Sequence, residues 1–182
     1  MLAKLSQTFH HLSSKTWLIL AALAVEIFFF STLAPRMQAQ IPAGPLDLKF
    51  TYSPEEAFGL IESYGEEARA AYRTFELTAD ILHPIGYLLL YSLLMSALLQ
   101  RAFPSTSVVQ KFNVAPVIGW GFDMIENICI VTMLSVFPAR PAGVALLAGI
   151  ATPLKWLFAG ASILMILISL VKAAMNGFRK QA

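Results

Sequence analysis

Four apolar runs, at about residues 16–34, 78–101, 114–137 and 148–171, are each long enough to cross the hydrocarbon core of a bilayer as a helix. Lipid offers no water to satisfy backbone N–H and C=O groups, so a spanning segment of this length makes its hydrogen bonds internally, as a helix. The predicted fold is therefore all-α. It is a four-transmembrane-helix bundle forming one integral membrane domain over residues 1–182, with a long first loop at about 35–77. Composition agrees: 57% of residues are hydrophobic and 13% charged, too apolar for an ordinary soluble domain. The formal net charge is only +2, so the expected partner is the bilayer and not nucleic acid.

Orientation follows from the basic residues. Lys4, Lys15, Arg101, Lys111, Lys172, Arg179 and Lys180 lie on one side of the four spans, against Arg36, Lys49, Arg69, Arg73 and Arg140 on the other. Short cytoplasmic segments carry the excess of Lys and Arg, which predicts both termini in the cytoplasm. A signal peptide is the competing reading of residues 1–39; the length of the apolar run and Glu26 within it argue against that.

The first loop reads as the one soluble-looking segment. Ile41-Pro42-Ala43-Gly44-Pro45 predicts irregular chain, and Ser53-Pro54-Glu55-Glu56 a capping box with Pro at the first helical position. Ala57, Phe58, Ile61 and Tyr64 then recur at helical spacing up to Gly65, giving an amphipathic helix across the bundle mouth or on the outer surface. From Glu66 no breaker intervenes before Pro84, so the second membrane helix should continue above the bilayer.

Within the spans sit Glu26, Asp80, His83, Asp123, Glu126 and Lys155. Ionisable groups at bilayer depth are costly and face a bundle interior, where they mark candidate sites. Glu76, Asp80, His83, Tyr87 and Tyr91 share one face, as do Gly119, Asp123, Glu126 and Asn127. Lys155, Ser162 and Ser169 form a polar seam with Ala159 and Ile166 on the fourth helix. At a rise of about 1.5 Å per residue, His83 and Lys155 lie roughly 8–10 Å below the outer boundary, Glu26 and Asn127 roughly 12–14 Å, Glu126 about 15 Å and Asp123 about 20 Å. The polar-cluster candidates are thus Glu26, Asp80, His83, Tyr87, Asp123, Glu126, Asn127 and Lys155.

Four carboxylates against one ammonium and one imidazole cannot all stay ionised in low dielectric, so protons, a bound cation or a cationic ligand must balance them. Lys155 is expected to pair with Glu126 or Glu26. His83 precedes Pro84, which frees a backbone carbonyl and assigns the imidazole to a local kink as the bland alternative. The lone Cys129 lies inside the third span, so no intramolecular disulfide forms, and no His/Cys spacing suggests zinc.

Three function classes fit. The first is a pocket for a hydrophobic or amphipathic small molecule, with or without acid–base chemistry in which His83 or a protonated carboxyl serves as acid and Asp123 or Glu126 as base. The second is a metal site on Asp80, His83, Asp123 and Glu126, a partial match to carboxylate-bridged bundle sites. The third is a non-catalytic carrier or accessory subunit, acting as an oligomer or within a larger complex. The residues assign no catalytic role and no cofactor.

A resemblance covers most of the chain. Leu46-Asp47-Leu48-Lys49-Phe50, Tyr52-Ser53-Pro54-Glu55-Glu56-Ala57, Gly65-Glu66-Glu67-Ala68-Arg69, Tyr72, Asp80, Pro84, Tyr87, the Asp123–Asn127 stretch and Leu154-Lys155-Trp156 look like those of a group of uncharacterised bacterial four-helix membrane proteins. That resemblance implies the architecture and a bacterial inner membrane, and no activity. In layout the chain is also similar to the EXPERA proteins, related to sterol isomerase and the sigma-2 receptor, whose acidic residues line an intramembrane ligand cavity; no motif carries over residue by residue.

Overall fold

A computed structural model describes residues 1–41 and 43–179. Pro42 of the predicted irregular run and Lys180 of the basic C-terminus lie outside them. Among the described residues there is no strand, and four helical stretches are long and apolar enough to cross a membrane: Thr16–Gln40, Gly65–Ala102, Val108–Val136 and Ala142–Phe178. The chain is a multi-pass helical membrane protein. Its surface supports this: Leu20, Ile27, Phe28, Leu146, Leu157 and Leu164 are exposed, while Ser92, Ser96, Thr152, Ser162 and Ser169 are fully buried. Apolar outside and polar inside is the distribution that lipid selects.

A short helix α1 (Leu2–Leu12), which the apolar pattern does not reveal, precedes α2 (Thr16–Phe28). It docks on the 3₁₀ segment Val108–Val114 and on α6 (Ala79–Ala102). Buried amides hold it there. Asn113 Nδ2 donates to the Ser6 carbonyl at 3.0 Å and to Ser96 Oγ at 2.8 Å, and His10 Nε2 lies 3.0 Å from the Gln110 carbonyl.

After α2 the helix widens into a π segment, Phe29–Leu33, and resumes as α3 (Ala34–Gln40). Pro35 has no N–H for the carbonyl four residues earlier, and the turn before it relaxes accordingly. The first span is thus longer than residues 16–34, and the fourth starts at Ala142, before 148. Both project past the apolar runs that define them.

The predicted capping box is present: Glu56 N–H donates to Ser53 Oγ at 3.2 Å and Ser53 N–H to Glu56 Oε2 at 2.7 Å, opening α4 (Pro54–Ser63). Gly65 takes φ +75°, the left-handed turn expected of it. α4 buries Ala57, Phe58 and Ile61 and packs against α8 (Ala142–Arg179), in one apolar cluster with Ile130 and Met133 of α7 (Ala115–Val136) and Ala145 and Ala148 of α8.

The second span continues back to Gly65, as expected, but with one break. α5 (Gly65–Glu76) stops, Leu77–Thr78 form a turn, and α6 starts at Ala79. Thr78 Oγ1 reaches the Thr74 carbonyl at 2.7 Å and that of Phe75 at 3.4 Å, so a hydroxyl takes up carbonyls that the helix ladder would otherwise use.

The four spans alternate in direction. α7 and α8 pack closely along their length, α6 packs on both, and α2 leans chiefly on α6. Two glycines permit close approaches. A Cβ on Gly86 would collide with the Glu26 carboxylate, and one on Gly149 would lie 2.6 Å from the Tyr52 carbonyl oxygen, where the loop presses on α8. Because α2 leans away from α8, space remains between them near the end of the bundle that residues 43–64 cover.

Candidate functional site

That space is a cavity of about 380 Å³. Glu26, Asp80, His83, Tyr87, Asp123 and Lys155 all line it, so the structure gathers six of the eight sequence candidates around one volume. Glu126 and Asn127 stand behind the wall, each bonded to a residue that does line it. The apolar part comes from Phe29 and Phe30 of the π segment, Phe75 at the end of α5, and Trp156 on α8.

Lys155 organises one side. Its Nζ lies 3.4 Å from Asp123 Oδ1, is paired with Glu126 Oε2, and donates to the Asp47 backbone carbonyl at 3.2 Å. Tyr87 OH donates to Asp123 Oδ2 at 3.0 Å. Glu126, fully buried, also accepts from the Thr152 hydroxyl, beside which Tyr52 OH sits at 3.3 Å. Of the two partners expected for Lys155, Glu126 is present and Glu26 is not: Glu26 sits across the cavity on α2. Burial pushes the Tyr52 hydroxyl well above its usual range, with the nearby Glu126 carboxylate adding to it, so Tyr52 is a neutral phenol here.

Glu26 instead faces His83. Its Oε2 lies 3.2 Å from His83 Nε2, while His83 Nδ1 is 3.9 Å from Asp80 Oδ1. The imidazole stacks flat on Phe29, with ring centroids 3.8 Å apart, and meets the edge of Tyr87 at 5.6 Å. At 3.9 Å the Asp80 carboxylate is beyond hydrogen-bond distance, and His83 Nε2 makes no hydrogen bond.

The kink assigned to His83 is served by another residue. Pro84 cannot donate to the Asp80 carbonyl, and Asn127 Nδ2 supplies that bond from α7 at 2.9 Å, together with one to Asp80 Oδ2 at 2.8 Å. Asn127 therefore repairs the broken ladder and clamps α6 to α7.

Sequence reasoning missed part of the site. Asp47, in the first loop and absent from the polar-cluster candidates, turns inward: Tyr72 OH donates to its Oδ1 at 2.6 Å. Glu76 is 1% exposed. The signal for Glu76 was its place four residues before Asp80 on the same face. For Asp47 the only hint was an acid flanked by Leu46 and Leu48. Pro45–Leu48 and the stretch Ala34–Gln38 cover the cavity, whereas the amphipathic helix α4 caps the apolar contact of α7 with α8. The reason is apolar matching: the apolar face of α4 packs on α8 and joins the apolar cluster that holds Ile130 and Met133, while Asp47 finds Tyr72 and Lys155. No family model, curated protein or solved structure matches the chain.

Proposed function

We propose that this protein binds an amphipathic small molecule from the surrounding lipid, with its polar end among Asp123, Tyr87 and Lys155 and its apolar part between Phe29, Phe30 and Trp156. The observation that carries this is the cavity itself. At about 380 Å³ it falls within the range of roughly 300–1,000 Å³ usual for small-molecule sites, with apolar walls and a few converging polar groups. Phe30 and Leu48 line it and are also exposed, so the rim is apolar where it meets the bundle surface. That suits entry from the bilayer.

Organic extraction of protein purified in mild detergent, read by mass spectrometry, tests the reading. One retained species at near-equimolar amount is expected. Ala159→Trp, which fills the cavity from α8, should lose it without lowering the unfolding temperature. An extract identical to a detergent blank, or a variant that keeps the species, would overturn the proposal.

The His83 imidazole between Glu26 and Asp80 favours one further reading, acid–base catalysis on the bound molecule. In that case the purified protein converts the extracted species to an isomer or hydration product and His83→Ala does not. If parent and His83→Ala leave it equally unchanged, the protein is a binder only.

The proposed setting is a bacterial inner membrane with both termini in the cytoplasm, supported by the Lys and Arg distribution between the segments that join the spans. A periplasm-active reporter fused near Gly65 should then be active and one near Ser105 inactive. The opposite pattern would reverse the orientation.

A further inference from the structure

Three carboxylates meet where the second span breaks. Asp47 comes from the loop, Glu76 ends α5, and Asp80 lies in the first turn of α6. One ligand oxygen from each lies within 4.8 Å of the other two. Oxygens bound to one cation at about 2.0–2.6 Å lie no more than about 5 Å apart, so these spacings permit a shared ion.

The second observation is Glu76. It is 1% exposed, and neither of its oxygens receives a hydrogen bond although both are buried. A buried carboxylate without a donor is among the costliest groups a fold can hold, and this one belongs to the cluster. Its two neighbours are oriented by other groups: Asp47 Oδ1 accepts from Tyr72 OH and Asp80 Oδ2 from Asn127 Nδ2. Carboxylates held in place by second partners are what a metal site requires. The Asn127 amide oxygen is likewise buried without a donor.

We propose that Asp47, Glu76 and Asp80 bind a hard divalent cation such as Mg²⁺, Ca²⁺ or Mn²⁺. The donor set contains only oxygen, which selects such ions over zinc or copper. The cation offsets most of the charge of three carboxylates, and Lys155 Nζ, bonded to the Asp47 carbonyl, lies on the adjoining side. It also has a structural consequence. By joining a loop residue to both sides of the Leu77–Thr78 turn, the ion fastens the Pro45–Leu48 roof to the second span. The site differs from the set Asp80, His83, Asp123 and Glu126 suggested by sequence spacing. It stands apart from the small-molecule reading because its test uses the ion alone.

Protein purified in mild detergent and stripped with EDTA is titrated with Mn²⁺, and the free-ion EPR signal is read. One equivalent should bind, and Ca²⁺ or Mg²⁺ should compete and raise the unfolding temperature. Asp47→Asn and Glu76→Gln should each weaken Mn²⁺ binding at least about tenfold. Glu62→Gln, which alters an exposed carboxylate paired with Arg140, should not. Asp47 lies in the loop, so its variant keeps the test open if Glu76→Gln does not fold. Three results overturn the proposal: no loss of the free signal at millimolar Mn²⁺, binding that both cluster variants retain, or a Glu76→Gln protein that gains the same stability without metal as the parent gains with it. The last would show that a proton balances the cluster.

Discussion

Lys155→Met should lower the unfolding free energy by about 3–5 kcal/mol, because it strands two buried carboxylates, Asp123 in the cavity wall and Glu126 behind it. Lys155 is the cation paired with both Asp123 and Glu126, and these residues are 4% and 0% exposed. Solvent cannot take over the role of the ammonium. Adding Glu126→Gln should recover only part of the loss, since Asp123 keeps its charge and only Tyr87 OH then bonds it. Adding Asp123→Asn as well should recover most of it, because no uncompensated charge remains. Unfolding in detergent of the single, double and triple variants measures this directly. Losses that simply add would show that the three side chains do not act as a unit.

Asn127→Leu is the second large effect, and its cause is a backbone carbonyl. Pro84 leaves the Asp80 carbonyl without its helical donor, and Asn127 is bonded both to that oxygen and to Asp80 Oδ2. Each acceptor orphaned in the interior costs about 1–3 kcal/mol, so the two together make this among the most damaging uncharged substitutions available. Pro84→Ala supplies a test of the mechanism, because it returns an N–H to the position that Asn127 serves. The gain from Pro84→Ala should be clearly larger in the Asn127→Leu background than in the parent. Equal gains in both backgrounds, by denaturant unfolding in detergent, would mean that Asn127 does not repair the Pro84 break.

Both predictions depend on partners that spacing brought only into the same region. The face carrying Asp123, Glu126 and Asn127 is visible in the sequence, because a helix has a fixed period. That period cannot say which neighbour each residue meets. Glu26 and Glu126 were equivalent partners for Lys155 by depth, yet α2 leans on α6 and puts Glu26 against His83, while α7 and α8 pack closely enough to join Lys155 with Glu126. The rotation and lean of each helix made that choice.

The sequence by itself determined the four spans, their alternation, the Ser53 capping box, the Gly65 turn and the polar faces. These rest on length, local hydrogen bonding and helical period, all properties of neighbours in the chain. Only the tertiary structure decided that Asp47 turns inward to Tyr72 and that α4 caps α7 and α8 and leaves the cavity roof to residues 45–48. It also decided that Leu77–Thr78 break the second span beside Glu76. Those outcomes depend on which distant surfaces match in shape and polarity. A buried acid such as Glu76 is tolerated only for what stands around it, and there Asp80 comes from the next turn of the same span while Asp47 comes from a distant loop.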